Sequence, residues 1–353
     1  MSRTAVVGVA EAGAASGFGG PPKMVEEGAS RSPAAARDWW PFVASAFVVL
    51  QVALAAVPRL RPGKAGMICW LFGSEGILWW GLASGLLAYA LIRSAWRRPF
   101  WNRRRAAGFG MIAAVALAPL TYRAYPSSHA GSPSRVRFRV PLDGPITVGW
   151  GGDTPDVNYH VVAPDQRWAY DLLVAVDGST YRGEGRECSD YSIYDRPVLA
   201  PADGTVRAVV DGEPDMPIGQ LGGGADPGGN HVVLNVAPGE FLFLCHFKPG
   251  SLRVKVGDAV VRGQEIARVG NSGNTSEPHL HIHLQDTPVP GIAEGIPLEF
   301  HGYRTGGRLV DRGMPRGGFA GDEITGEVIE HVGEHGGPAP LAESQPGRRE
   351  VPR

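Results

Sequence analysis

Cysteine is scarce in this sequence, and the chain has no overall surplus of either charge. Its three cysteines, Cys69, Cys188 and Cys245, are far apart and form no C-x-x-C pair. This spacing excludes a zinc site built from cysteine pairs. It leaves a disulfide between Cys188 and Cys245 as an open alternative. The formal net charge of -1 gives no general attraction to nucleic acid, so no nucleic-acid partner is expected.

The first 37 residues show little hydrophobic periodicity. They are rich in alanine, glycine, serine and proline, with scattered charges. A segment of this composition buries little apolar surface, so we expect a disordered head at residues 1–37. No apolar run closely follows the first methionine, so the segment does not resemble a secretory signal.

Three apolar segments follow, at about residues 40–57, 74–92 and 106–121, and Glu75 is the one charged residue in them. The first two approach the length of about 20 residues that a membrane-spanning helix needs, and the third is shorter. Tryptophan and tyrosine residues lie near the segment ends, as they do at membrane interfaces. The sequence therefore predicts a membrane anchor at residues 38–122, with about three transmembrane helices in contact with lipid.

The loop between the second and third apolar segments sets the predicted orientation. It is rich in arginine, namely Arg93, Arg97, Arg98, Arg103, Arg104 and Arg105. Short loops that are rich in arginine stay in the cytoplasm. With three spans, the chain beyond residue 122 then lies on the extracytoplasmic side of the cell membrane, and the protein is multi-pass. If the third segment does not span, this orientation reverses.

The composition changes again after the apolar segments. Residues 123–136 are rich in serine, proline and glycine and predict a linker. From 137 to 303 the sequence predicts an all-β domain, because short strand-like stretches alternate with glycine, proline and aspartate turns. These stretches lie at 137–140, 167–174, 197–200, 204–210, 231–236, 240–246 and 265–269. No helical run separates them, which favours a compact antiparallel sandwich or barrel. The composition of residues 304–353 predicts a disordered tail.

All ten histidines lie after the third apolar segment, and three of them alternate with leucine and isoleucine. These are His279, His281 and His283. Alternation with period two places their rings on one face of a strand. Imidazole is the commonest metal ligand and an acid–base group near neutral pH, whereas a buried ring without a partner is costly. The pattern therefore predicts a zinc site. The competing interpretation is a solvent-facing strand that is rich in histidine by chance.

Further candidate site residues precede this strand. His160 and Asp171 lie where a polar stretch becomes strand-like, and His246 ends an apolar strand before a turn. A catalytic zinc commonly takes three protein ligands and leaves one position for water or substrate. Side chains at strand ends and in the adjoining loops are well placed to complete such a site.

Seven motifs, taken in order, resemble the lysostaphin-like zinc endopeptidases, which are the duplicated-hybrid-motif peptidases of bacterial cell walls. They are PVLAPADGTV at 197–206, GNHVV at 229–233, CH at 245–246, VKVGD at 254–258, RGQ at 262–264, GNSG at 270–273 and PHLH at 278–281. The resemblance covers about residues 145–290. It implies an all-β catalytic domain with a duplicated hybrid motif. It also implies a zinc metalloendopeptidase that hydrolyses peptide bonds in the stem or cross-bridge peptides of peptidoglycan.

The resemblance also implies a role for each site residue. His160, Asp171 and His281 correspond to the ligands of one zinc ion, and His246 and His279 to the catalytic histidines that do not bind it. In the family the first two ligands follow the pattern His-x-x-x-Asp, whereas His160 and Asp171 are eleven residues apart. Zinc would acidify a bound water and polarise the scissile carbonyl. Either catalytic histidine could accept the proton or stabilise the oxyanion.

Three other residues and two alternatives complete the prediction. His283 stands where the family commonly has glutamate, and it either orients its neighbours or lies at the surface. Asn230 and His231 are candidates for the substrate groove. A relative that has lost its chemistry and only binds the wall or regulates a partner hydrolase is one alternative. The other is a carrier module, since residues 254–266 also resemble half of a biotinyl or lipoyl domain. The Met-Lys pair that such a module modifies is absent from residues 200–290.

Overall fold

The computed structural model describes residues 38–332, except 223–225 and 322. The predicted disordered head at 1–37 and the last part of the predicted tail, 333–353, lie outside the described residues. Within the described part, α-helices come first and an antiparallel β domain follows.

Between residues 38 and 122, the structure contains four α-helices: α1 (Trp40–Leu60), α2 (Lys64–Ser74), α3 (Gly76–Ala95) and α4 (Arg103–Leu117). Among the described residues, two helices are long and apolar enough to cross a membrane, namely α1 and α3, with mean hydropathies of 2.0 and 1.3. Helix α4 has 15 residues and begins with three arginines. After it, residues 118–121 continue as a 3-10 helix that contains Pro119. The prediction of three spans is therefore corrected to two candidate spans.

Helices α1 and α4 run in the same direction. Trp40 at the start of α1 packs on Phe109 in the first half of α4, with ring centroids 5.0 Å apart. Tyr122, just beyond α4, lies 3.5 Å from Gln51 in the second half of α1. The ends of both helices are thus close to the point where the β domain begins.

Helix α3 runs opposite to α4. The indole nitrogen of Trp80, at the start of α3, donates to the carbonyl of Ala116 at the end of α4 (2.8 Å). The connection from α3 to α4 therefore lies at the far end of the helices from the β domain. This connection is the arginine-rich segment, residues 93–105.

Fourteen strands form the β domain within the described residues. They are β1 (Pro145–Trp150), β2 (Tyr170–Leu173), β3 (Pro197–Leu199), β4 (Gly204–Val210), β5 (His231–Ala237), β6 (Glu240–Cys245), β7 (Ala259–Val260), β8 (Glu265–Arg268), β9 (Leu280–Gln285), β10 (Phe300–Thr305), β11 (Arg308–Gly313), β12 (Phe319–Ala320), β13 (Glu323–Ile324) and β14 (Val328–His331). Ten of them form one sheet in the order β11-β10-β14-β1-β2-β9-β6-β5-β4-β7, while β3–β8 and β12–β13 form two small sheets. All the strand pairs are antiparallel, which confirms the predicted antiparallel β domain.

Strand β9 lies at the centre of this sheet and is buried on both faces. Leu280, Ile282 and Leu284 belong to the hydrophobic core, and each is at most 1% exposed. Because side chains alternate along a strand, His281 and His283 point to the opposite face. That face carries the candidate site.

Residues 304–332 do not form the predicted disordered tail. Strand β10 ends at Thr305 and pairs with both β11 and β14, and β14 also pairs with β1. The side chain of Ile329 is fully buried in the core. Most side chains of β11 are exposed, so its sequence carries no hydrophobic alternation that could have indicated a strand. The segment predicted as a strand at 137–140 makes only an isolated bridge, between Phe138 and Phe300.

Candidate metal centre

Two neighbouring strands bring Asp171 and His281 together. Asp171 on β2 is paired directly with His281 on β9. Directly opposed residues of antiparallel strands project from the same face, with Cβ atoms about 5 Å apart. The Oδ1 atom of Asp171 accordingly lies 2.9 Å from Nδ1 of His281.

A 3-10 helix at Tyr159–Val162 carries His160 to the same point. The Nε2 atom of His160 lies 3.6 Å from Oδ2 of Asp171. The separation of eleven residues is therefore accommodated by this turn and the loop that follows it. Neither the turn nor its position was predicted from the sequence.

Asn158 determines which nitrogen of His160 carries the proton. Its amide nitrogen donates to the carbonyls of Gly152 (2.8 Å) and Ala169 (3.1 Å), so its oxygen is the acceptor. That oxygen lies 2.9 Å from Nδ1 of His160, which must therefore donate. The lone pair of His160 is consequently on Nε2, facing Asp171, as a metal ligand requires.

A hydrogen-bonded chain fixes His281 in the same way. The amide nitrogen of Gln285 donates to the carbonyl of Thr287 (2.6 Å), so its Oε1 accepts from Nε2 of His283 (3.0 Å). The Nδ1 atom of His283 is then an acceptor, and it lies 2.9 Å from Nε2 of His281. The lone pair of His281 is therefore on Nδ1, which faces Asp171.

His160, Asp171 and His281 are all buried, and the ligand atoms that they offer lie within 4.8 Å of one another. Two imidazole nitrogens and a carboxylate oxygen are donors that zinc accepts, and three protein ligands leave a fourth position open. The donor types, the burial and the two fixed lone pairs together fit a divalent metal ion such as zinc.

His246 and His279 stand beside these three residues, with their ring centroids 4.7 Å apart. Nδ1 of His246 donates to the carbonyl of Ser272 (2.7 Å), and Nδ1 of His279 donates to that of Glu277 (2.8 Å). Each ring therefore has its lone pair on Nε2. In His279 this atom lies 3.6 Å from Oδ1 of Asp171. Both rings can accept a proton at the edge of the metal centre.

Burial controls the charge of the site. It lowers the pKa of His160 to about 3, and it also lowers the pKa of His246 and of His283 well below the ordinary value. Burial alone would raise the pKa of Asp171, but the adjacent histidines, His160 first among them, more than offset it and hold the pKa low. At neutral pH the ionised carboxylate of Asp171 thus faces the neutral imidazole of His160, which is the protonation state that metal binding needs.

A groove of about 430 Å³ opens onto the site. The charged side chains that line it, among the described residues, are Asp165 and Asp226. Phe243 and Cys245 form part of its apolar wall. Tyr159 also lines the groove, and its hydroxyl donates to Oδ2 of Asp171 (3.3 Å). The groove is therefore acidic as well as partly apolar.

The two candidates for the substrate groove are placed differently. His231 lines the groove, and its Nδ1 donates to the carbonyl of Gly229 (2.8 Å). Asn230 is fully buried and binds backbone: its amide nitrogen donates to the carbonyls of Glu213 (2.7 Å) and Phe247 (3.0 Å). Its oxygen accepts from the backbone nitrogen of Glu213 (2.8 Å). Asn230 thus has a structural position.

Sequence reasoning missed two residues that contact the site. Gln285 continues the period-two pattern of His281 and His283, and this pattern was the available signal. Tyr159 directly precedes His160 in the sequence, but nothing in the sequence indicated its contact with Asp171. Cys188 and Cys245 are both free thiols, so the disulfide between them is not formed.

Part of this domain is similar to a known protein family. Residues 189–290 match the model of peptidase family M23. The predicted resemblance to lysostaphin-like peptidases is thereby confirmed, and the match supports the prediction of a peptidase. The matched residues include His246, His279 and His281, and they begin after His160 and Asp171.

The relatives share only part of their length with this chain. An uncharacterized metalloprotease of Haemophilus influenzae is 33% identical over 103 residues, which are 29% of this chain and 19% of that protein. The catalytic domain of lysostaphin from Staphylococcus simulans is 20% identical, with a TM-score of 0.26 over 42% of this chain and 86% of the other. A zinc-containing peptidase from Vibrio cholerae is 22% identical, with a TM-score of 0.27 over 46% of this chain and 41% of the other. The chain thus spans about a fifth of the curated relative.

Proposed function

We propose that this chain, whose residues 189–290 match the model of peptidase family M23, is a membrane-anchored zinc metalloendopeptidase that cleaves peptide bonds of peptidoglycan. The observation that carries the proposal is the convergence of His160, Asp171 and His281, whose ligand atoms lie within 4.8 Å of one another. The catalytic pair, His246 and His279, stands beside that point. These five residues supply both a metal site and proton acceptors.

His160, Asp171 and His281 would hold the zinc ion. When bound, zinc supplies an acidified water and polarises the scissile carbonyl. The rings of His246 and His279 lie side by side with their lone pairs on Nε2, so either could act as the general base that accepts a proton from the nucleophilic water. Once protonated, the ring can donate to the oxyanion or to the leaving amine. The lowered pKa of His246 keeps this base neutral at physiological pH.

The shape and charge of the groove support a peptide substrate. Tyr159, which is exposed, and Phe243 line the groove and offer apolar surface for an extended chain. Asp165 and Asp226 give it a negative charge, which suits peptides that carry free ammonium groups. Peptidoglycan stem and cross-bridge peptides, which the family resemblance implies, belong to this class.

The arrangement of the helices supports an extracytoplasmic location. The arginine-rich segment at 93–105 lies at the opposite end of α3 and α4 from the β domain. Helix α4 together with the 3-10 helix Ala118–Thr121 measures about 30 Å at standard helical rises, which is close to the hydrocarbon thickness of a bilayer. We therefore infer that the β domain lies across the bilayer from the arginine-rich segment. The β domain would then face the peptidoglycan.

The experiment uses the full chain, purified in detergent. We expect about one zinc ion per chain by metal analysis, and release of soluble peptides from purified peptidoglycan. Asp171→Ala should lose both the bound zinc and the release of peptides. Asp311→Ala, which alters a carboxylate on the surface strand β11, should keep both. Zinc without any digestion would instead support the alternative of a wall-binding relative. Full activity of Asp171→Ala would contradict the assigned site.

The location is tested separately in intact cells. Protease added from outside should digest the β domain of the full chain if this domain is extracytoplasmic. Complete protection in intact cells, together with digestion after lysis, would place the domain on the cytoplasmic side and contradict the inferred location.

A further inference from the structure

The three proposed ligands are held by different parts of the molecule. Asp171 and His281 are fixed by the hydrogen-bonded ladder of β2 and β9. His160 lies outside the sheet, on a turn of four residues between β1 and β2. Its position therefore depends on whatever holds that turn.

The N-terminal part supplies hydrogen bonds to this turn. The indole nitrogen of Trp70, in α2, donates to the carbonyl of Val162 (2.8 Å). The backbone nitrogen of Tyr125, just beyond α4, donates to the carbonyl of Val161 (2.8 Å). These two carbonyls belong to the two residues that follow His160. The turn is thus attached to the helices as well as to its own domain.

The attachment is rigid. Trp70 is fully buried and packs edge-on against Tyr122 and Tyr125, with centroid distances of 4.8 and 5.5 Å. The hydroxyl of Tyr125 donates to Glu294, which also accepts from the backbone nitrogen of Gly63 (3.0 Å) directly before α2. Because Trp70 is buried between Tyr122 and Tyr125, and Tyr125 is hydrogen-bonded to Glu294, the indole N–H has little freedom to turn away from Val162.

The same contacts reach the other side of the groove. Glu294 belongs to the loop that follows β9, and Pro290 and Gly291 of this loop line the groove. Helix α2 and the segment after α4 therefore contact both the turn with His160 and the loop across the groove. A change in the helices would move these two elements relative to the sheet.

We propose that Trp70 and Tyr125 are positioning residues for His160, so that the N-terminal helices set the metal affinity of the β domain. This inference rests on the proposed zinc site. Substitution of a group that orients a metal ligand commonly lowers the metal affinity by about 10- to 100-fold. Loss of the Trp70 bond leaves the turn held by Tyr125 and by its own contacts, so a loss near the lower figure is expected.

The test compares the same substitution, tryptophan to phenylalanine, at two positions of the full chain in detergent. Trp70→Phe keeps an aromatic ring against Tyr122 and Tyr125 but removes the indole donor. Trp80→Phe removes an indole bond of the same length, 2.8 Å, to Ala116 within the helices. Zinc affinity is measured by competition with a chelator. The visible spectrum of bound Co²⁺ reports the ligand geometry, and circular dichroism reports folding.

We expect Trp70→Phe to bind zinc about tenfold more weakly and to alter the Co²⁺ spectrum, with Trp80→Phe matching the wild type in both. In a His160→Ala background, Trp70→Phe should cause no further loss of zinc affinity, because Trp70 acts through His160. Wild-type affinity and spectrum in Trp70→Phe would overturn the inference, as would an equal further loss in the His160→Ala background. Absence of zinc from the wild-type chain would instead reject the proposed function itself.

Discussion

Nε2 of His281 lies 2.9 Å from Nδ1 of His283, and this contact decides which nitrogen of His281 faces the proposed metal. His283 donates its own proton to Gln285, so it can only accept from His281. Nδ1 of His281 is left with its lone pair directed at Asp171. The residue that replaces the common glutamate of the family thus performs an orienting function with a neutral ring.

His283→Phe tests this function. Phenylalanine can keep the stacking on Phe243. In the wild type, the ring centroids of His283 and Phe243 are 4.7 Å apart and the ring planes are inclined by 11°. His281 would lose its acceptor, so we expect zinc affinity to fall by about 10- to 100-fold. His231→Phe is the matched control, because His231 also stacks on Phe243 but does not contact His281. Equal zinc affinity of the two variants in chelator competition would remove His283 from this role.

His246→Ala and His279→Ala should separate metal binding from catalysis. Neither ring belongs to the proposed ligand set, so both variants should retain about one zinc ion per chain. Loss of a general acid–base group commonly lowers the rate by about 10²- to 10⁴-fold. Metal analysis and the initial rate of peptidoglycan digestion check the two expectations. Loss of zinc from either variant would show that the missing ring is a ligand.

The centre of the domain could be predicted from the sequence because its side chains obey period two. Leu280 and Ile282 alternate with His281 and His283, and that alternation gave both the strand and the face of the site. The order of the motifs indicated the family, which the match at residues 189–290 confirms. The pairing of Asp171 with His281 follows from strand register, which no local pattern specifies.

Other parts carry no such signal. His160 lies on a 3-10 turn stabilised by Asn158, Trp70 and Tyr125, and bonds over such distances in sequence cannot be inferred from composition. Strands β11 and β14 were mistaken for a disordered tail because most of their side chains are exposed or only partly buried. The third apolar segment has the composition of a span, but its helix of 15 residues is shorter than composition suggested.

Asn230 should contribute to stability and not to substrate binding. It is fully buried, and its amide makes three hydrogen bonds to backbone atoms of Glu213 and Phe247. Asn230→Leu removes all three bonds, but the carbonyl of Phe247 still accepts from the hydroxyl of Ser272 (2.8 Å). The backbone nitrogen and carbonyl of Glu213 lose this partner, at a cost of about 1–3 kcal/mol for each one that stays buried. Urea denaturation followed by circular dichroism should show this loss. The folded variant should keep the wild-type KM, and a raised KM at unchanged stability would place Asn230 in the groove.

His129 and Asp286 should make the stability of the full chain depend on pH. Nε2 of His129 lies 3.8 Å from Oδ2 of Asp286, and each side chain is about one-third exposed, at 31% and 35%. The hydrogen bond to Asp286 raises the pKa of His129 above 6.5. Burial alone would raise the pKa of Asp286, but its hydrogen bond to His129 helps to lower it below 3.8.

The sign of the effect follows from these two directions. The raised pKa of His129 contributes stability that is complete below pH 6.5 and is lost as the pH rises through the folded-state value. The lowered pKa of Asp286 contributes stability that is complete above pH 3.8 and is lost at more acidic pH. The pair therefore stabilises the fold most between these limits. Because both groups are partly exposed, the contribution is about 0.2–1 kcal/mol.

We expect His129→Gln to lower the Tm of the full chain by about 1–3 °C at pH 5.5 and by less at pH 9. Asp286→Asn should show the same dependence, since its side chain can still accept from the backbone nitrogen of Glu294. The double variant should lose no more than either single one, because the two groups act as a pair. A Tm difference that is equal at both pH values would mean that His129 stabilises the linker by packing, without its charge.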